Sequence, residues 1–455
     1  GLHAEDPTIA DLVKPLGYLT CQTGKNHLGD RNEFLPTVHG FDEFFGNLYH
    51  LNAEEEPELP DYPPAKDFPG FRPKFGPRGV LRCKATDVDD PTVDPRWGRV
   101  GRQTIEDTGP LTKKRMETCD DELIAAAKDF IQRKREENVP FFCWVNTTHM
   151  HLRTHTKPES LGRAGRWQSP YHDTMIDHDE HVGQLLDLLD ELGIAENTFV
   201  MYSTDNGPHM NTWPDGAMTP FRSEKNTNWE GAFRVPCLVR WPGHIQPGTV
   251  SNELMSHNDW VPTLCSIAGE PAIVEKCRKG YQANGNDYKV HLDGFDQSKF
   301  LTTVTGSAAR NNGVKSARDK FYYTDDDALL VGLRIGDYKC SFAEQRSPGT
   351  MEVWAEPFTV LRLTKIYNLM QDPYERADIT SNTYWDWVMN HVPQVYQGMG
   401  GVMTFLESFK EFPPRAVPQS FNPANMLEQQ LRDQRAQQKI ERAFPILLPK
   451  ETPAR

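Results

Sequence analysis

The side chains best suited to chemistry fall in four short clusters: Gly24-Lys25-Asn26-His27-Leu28-Gly29, His149-Met150-His151, Ser203-Thr204-Asp205-Asn206-Gly207, and Glu224-Lys225-Asn226-Thr227-Asn228-Trp229-Glu230-Gly231. Asp205 and Asn206 offer adjacent oxygen ligands of the kind that calcium or magnesium takes. Asp-Asn-Gly is also a common turn; its place at the end of an apolar run favours the ligand reading. Lys25 and His27, two apart, face the same way in an extended segment and could clamp an oxyanion. Of His149 and His151, at most one is expected to enter a site. Lys225 lies between Glu224 and Glu230, where an exposed ion pair by itself would be worth little. Together the clusters hold two hard-metal ligands, two lysines and two or three histidines. That equipment suits a tetrahedral anion, so sulfate or phosphate esters are the natural substrates.

Two repeated helix-and-strand patterns would position these clusters. Asp120–Glu136 sets Leu123, Ala127, Phe130 and Ile131 on one face, with acids in its first turn and Lys and Arg in its last, which predicts an amphipathic helix. Pro140–Val145 follows as a short apolar run, predicting a strand covered on both faces. The stripe Met175, Val182, Leu185, Leu186, Leu189 and Leu192, closed by Gly193, predicts a second helix, and Thr198–Tyr202 a second strand. A polar cluster comes directly after each strand. Such alternation predicts an α/β fold with a mainly parallel central sheet flanked by helices, its ligands outside the carboxyl ends of the strands.

The Pro- and Gly-rich stretches Glu54–Asp94 and Pro208–Pro220 read as loops. After about Thr305 come short candidate strands, Phe321–Thr324, Ala328–Ile335 and Lys339–Phe342, and a polar helical tail, Asn425–Ala443. We therefore expect a catalytic domain over residues 1–305 and a smaller C-terminal α+β domain over 306–455.

Bulk properties exclude several classes. A formal charge of -14 with interspersed acids and bases leaves no basic stripe for nucleic acid. An anion site must then gather its positive charge locally. The longest apolar runs are far short of a membrane span, and the eight cysteines show neither C-x-x-C spacing nor a disulfide framework. The expected protein is folded and soluble, compatible with a bacterial cytoplasm or periplasm.

The order and wording of the clusters resemble the type I sulfatases of the alkaline phosphatase superfamily, particularly bacterial arylsulfatase-like members. The resemblance also rests on Thr37–Gly46 (T-V-H-G-F-D-E-F-F-G), Arg222–Pro236 (R-S-E-K-N-T-N-W-E-G-A-F-R-V-P), Trp241-Pro242-Gly243 and Asp259–Thr263 (D-W-V-P-T). Leu292-Asp293-Gly294, Arg334–Lys339 (R-I-G-D-Y-K) and Ile366–Glu375 (I-Y-N-L-M-Q-D-P-Y-E) extend it nearly to the end of the chain. It implies that Asp205 and Asn206 hold one divalent metal, calcium in most such enzymes, with magnesium the alternative. It implies that Lys25 and Lys225 hold the sulfate of a small-molecule ester, that His27 acts as a base, and that His151 assists the leaving group. The family motif at this histidine is H-x-P, whereas Leu152-Arg153 follow His151 here.

The family's nucleophile is a formylglycine, installed by a formylglycine-generating enzyme on the Cys or Ser of C/S-x-P/A-x-R. None of the cysteines or serines here fits that motif; Cys83-Lys84-Ala85-Thr86-Asp87 comes nearest and has Asp where Arg is needed. In the family this motif and two metal-binding aspartates precede G-K-x-H, so the resemblance implies an N-terminally truncated and inactive chain. Two rival readings are a phosphate or phosphonate monoester hydrolase of the same superfamily and a binder of sulfated ligands without turnover.

Overall fold

A computed structural model describes residues 1–216, 218–306 and 312–415. The chain forms two compact units, one of Gly1–Pro220 with Arg234–Lys320, the other of Phe221–Phe233 with the residues from Phe321 onward. The second unit thus starts some way past the expected boundary at 305 and takes in the Lys225 cluster. The expected helix at Asn425–Ala443 lies outside the described residues.

The first unit is built on a five-stranded sheet. Its strands are β1 (Leu19–Gly24), β2 (Glu43–Gly46), β3 (Leu81–Asp94), β4 (Gly98–Asp107) and β5 (Phe141–Asn146), in the order β4-β3-β2-β1-β5. β1 runs parallel to β2 and β5, while β2–β3 and β3–β4 are antiparallel. The fold is α/β as expected, with a mixed rather than mainly parallel sheet. The difference comes from the stretch expected as loop: residues 81–94 form the 14-residue strand β3. Register shifts between Ala85 and Val93 accommodate the turn-like Asp and Pro residues there.

Helices cover both faces of the sheet. Cys119–Glu137 and Pro170–Glu191 bury Phe130, Ile131, Leu188 and Leu189 against Cys21, with Phe141 and Cys143 of β5 packed alongside. Phe142, on the opposite face of the pleat, packs with Leu12, Val13 and Cys265 from the helices Ile9–Val13 and Trp260–Ile267. β5 was expected to be covered on both faces, yet it is only half-buried, and Trp144 stays 43% exposed. Among the described residues β5 ladders only with β1, at the edge of the sheet. The strand expected at Thr198–Tyr202 is β6 (Val200–Ser203), which pairs antiparallel with β7 (Cys237–Arg240) in a separate two-stranded sheet. β8 (Tyr281–Ala283) and β9 (Asn286–Tyr288) form a small hairpin.

The second unit carries a four-stranded sheet of β10 (Lys320–Thr324), β11 (Leu330–Ile335), β12 (Tyr338–Glu344) and β13 (Thr359–Asn368), in that order. Trp229, Cys340, Ile366, Tyr367 and Tyr384 form its core. Within this unit Lys339, fully buried, donates to the Asn228 carbonyl at 2.7 Å and pairs with Glu375 at 2.7 Å and Glu230 at 3.1 Å. The Lys225 segment is thereby fixed to β12 by buried charge. Among the described residues, no helix is long and apolar enough to cross a membrane.

Candidate active site

The parallel pair β1 and β5 delivers two of the clusters to one edge of the sheet. β1 runs out into Lys25 and His27, β5 into Thr147, Thr148, His149 and His151. The loops are tied where they leave the sheet: Lys25 N–H donates to the Asn146 carbonyl at 2.9 Å, and the Asn146 amide returns a bond to the Lys25 carbonyl at 3.2 Å. Gly24 makes this approach feasible. Its φ is +100°, and a Cβ there would lie 1.7 Å from the Asn146 oxygen.

His27 and His151 come together around a residue that the sequence did not single out. The His27 ring meets His50 edge-on at 5.5 Å, and His50 stacks on His151 at 5.1 Å with planes 3° apart. Tyr49 closes the other side of His27 at 5.1 Å. His50 is held by its backbone: it caps the short helix Leu51–Glu54, its Nδ1 accepting from Ala53 N–H at 3.3 Å. The loop after His151 is anchored by buried Glu55, which lies 2.7 Å from His155 Nε2 and 3.5 Å from Arg153. Three imidazoles in a row can place, hold and exchange protons beside a bound anion. His50 follows the F-F-G of β2 by four residues, and no spacing rule marks it.

His149 goes elsewhere. It is buried against Asp120, with Nδ1 2.8 Å from the carboxylate, so His151 is the one of the pair that stands beside the other imidazoles. Asp120 also accepts from Thr148 N–H and Oγ at 2.8 Å and from His149 N–H at 3.2 Å. Burial by itself would raise its pKa, but the His149 and Thr148 donors outweigh it and hold the carboxylate down at about 2.

Asp205 and Asn206 sit at the carboxyl end of β6, Asp205 exposed and Asn206 half-buried. The Asn206 amide donates to the Gly207 carbonyl at 2.8 Å, leaving its oxygen as an acceptor. His257 Nε2, 2.9 Å from the Thr204 carbonyl, steadies the turn before them. This pair fits a hard cation and would supply two of the roughly 6–8 oxygens that calcium takes. His178 links the ends of β5 and β6: one ring nitrogen lies 3.3 Å from Thr147 Oγ, the other 3.0 Å from the Tyr202 hydroxyl. Lys25 is half-buried where it leaves β1. Lys225, also half-buried, belongs to the second unit, where buried Glu224 beside it accepts from Thr350 N–H at 2.7 Å.

Comparison with known proteins points the same way. The sulfatase family model matches residues 1–270. Human arylsulfatase A is 29% identical over 440 residues, covering 93% of this chain and 76% of its own. Mouse N-acetylgalactosamine-6-sulfatase is 32% identical over 420 residues, covering 87% and 69%. The crystal structure of the PsFucS1 sulfatase from Pseudoalteromonas sp. superposes with a TM-score of 0.70 at 25% identity, over 91% of this chain and 75% of that one. On the family match and these relatives, the chain belongs to the sulfatase family and is a sulfuric ester hydrolase.

Proposed function

We propose that this chain supplies the sulfate-binding, metal-binding and proton-transfer groups of an arylsulfatase-type hydrolase. The observation that carries the reading is the row His27, His50, His151, gathered where the neighbouring parallel strands β1 and β5 end. In this reading Lys25 and Lys225 bind the sulfate oxygens of a small-molecule ester. His27 takes a proton as sulfate is released, and His151 holds a proton for the departing alcohol oxygen. Asp205 and Asn206 hold one divalent cation, calcium in preference to magnesium, which when bound supplies Lewis-acid polarisation of the sulfate. The nucleophile is assigned to a formylglycine made by a formylglycine-generating enzyme, on a C/S-x-P/A-x-R motif that these 455 residues do not contain.

The test is p-nitrophenyl sulfate hydrolysis, with and without calcium. The chain as given is compared with a version joined to a sulfatase segment that carries the motif and co-expressed with the generating enzyme. Turnover by the joined form alone, lost on Lys225→Ala or Asp205→Ala, supports the proposal. A folded, metal-loaded joined form that hydrolyses only p-nitrophenyl phosphate, or nothing, defeats it.

A further inference from the structure

Two consecutive aspartates open the helix Cys119–Glu137, and each holds a histidine. Asp120 pairs with His149 Nδ1 at 2.8 Å; Asp121 pairs with His181 Nε2 at 2.7 Å and with the Lys157 ammonium at 2.9 Å. Each imidazole is thus committed at one nitrogen. The other nitrogens, His149 Nε2 and His181 Nδ1, are buried and have no hydrogen-bond partner among the described residues, although the two side chains are only 6% and 4% exposed. Both histidines line one small cavity, together with Glu117, Asp177 and Lys157.

A buried ring nitrogen left unpaired costs about 1–3 kcal/mol, so two such nitrogens on residues that line one cavity point to an occupant. A carboxylate on one imidazole nitrogen, presenting the lone pair of the other, is the arrangement that orients metal-ligating histidines. The lining also carries more negative than positive charge, with Glu117, Asp120, Asp121 and Asp177 against Lys157, while Lys114 and Arg163 pair with Glu117 and Asp177. We propose that this cavity is a second cation site, separate from Asp205 and Asn206, taking one zinc-type divalent ion on His149 Nε2 and His181 Nδ1. Imidazole nitrogen selects a borderline first-row ion over calcium, and water completes the coordination. The ion would tie the start of the helix Cys119–Glu137, through Asp120 and Asp121, and the middle of the helix Pro170–Glu191, which carries His181, to the loop that carries His151, two residues beyond His149.

The neighbouring Cys119, Asp120 and His149, whose potential ligand atoms all lie within 4.8 Å of one another, do not form the site. The Asp120 oxygens are already taken by Thr148 and His149, and burial holds the Cys119 thiol protonated.

Tag-free protein is stripped with a chelator, reloaded with Co²⁺ or Zn²⁺ in excess calcium, and assayed for bound metal and for visible cobalt absorption. One equivalent is expected, retained in Asp205→Ala and lost in His149→Asn and His181→Gln. Those two variants keep an amide donor toward Asp120 and Asp121 while removing the free ring nitrogen. Anomalous scattering from a zinc-loaded wild-type crystal must place the ion between the two histidines, a readout that needs no variant. No bound equivalent, folded variants that still bind, or an anomalous peak elsewhere overturns the site and leaves the cavity to water.

Discussion

Lys339→Met places the strongest demand on the reasoning. Lys339 is fully buried and holds three oxygens, those of Asn228, Glu230 and Glu375. Removing it leaves two buried carboxylates, with Arg334 3.8 Å from Glu230 and Arg222 bonded to the Glu375 carbonyl among the nearby cations. Breaking one side of a buried ion cluster costs about 3–5 kcal/mol, a fifth or more of a typical domain's stability of about 5–15 kcal/mol. With a urea slope of roughly 1–3 kcal/mol per molar, the unfolding midpoint should drop by at least about 1 M. Burial already raises the Glu375 pKa and Lys339 lowers it, so the variant should raise it further. A raised carboxyl pKa in the folded state stabilises below the ordinary carboxyl range and loses that contribution as pH rises through the folded value. The deficit of Lys339→Met should therefore shrink as pH falls from 7 toward about 4.5. Adding Glu375→Gln should recover part of the loss at pH 7. A single-variant cost under about 1 kcal/mol, or no recovery in the double variant, would refute the account of buried charge holding this unit together.

Gly24→Ala should cost at least about 3 kcal/mol, read by thermal melting, because both φ and the Asn146 oxygen forbid a Cβ. In the joined, active form, His50→Ala should lower kcat/KM at least about tenfold, while the lost cap on Leu51–Glu54 costs only about 1 kcal/mol in a urea melt; full activity would remove His50 from the site. Burial pushes the Glu54 carboxyl up to about 8, so its contribution is present below about 4.5 and is lost as pH rises through 8. Glu54→Gln should then gain stability over wild type at pH 9 and little at pH 5, checked by urea melts at both. Asp120 behaves oppositely: depressed to about 2, it contributes roughly 2 kcal/mol above the ordinary range, lost as pH falls from about 4 toward 2. Asp120→Asn should flatten that acid limb.

Periodicity located the elements with strong one-sided patterns. The helix expected at Asp120–Glu136 spans Cys119–Glu137, and the strand expected at Pro140–Val145 spans Phe141–Asn146. Loop composition misled at Glu54–Asp94, because the Asp and Pro residues of β3 lie in its bulged part, beyond Leu81–Lys84, which alone pair with β2. The sheet's mixed direction was hidden for the same reason. Within the site, the motif residues at 25, 27 and 151 were visible as chemistry-bearing types at strand ends. Spacing could not separate His149 from His151, since residues two apart face one way only in an extended segment. What separates them is Asp120, 29 residues away in sequence. His50, His178 and His181 were equally hidden, each placed by tertiary contacts that leave no local mark.

The second unit takes Phe221–Phe233 from the middle of the chain and everything else from Phe321 onward. During synthesis, Trp229 and Glu230 must therefore wait for Tyr323, Lys339 and Glu375 to emerge before their side chains can be buried. At ~5–20 residues per second, the stretch from Phe233 to Glu375 takes on the order of 7–30 s to translate. For that interval the nascent chain displays an unpaired indole and carboxylate beside Lys225. This is a window in which a chaperone can engage the segment, and in which slower or faster decoding of residues 234–320 should change the yield of folded protein.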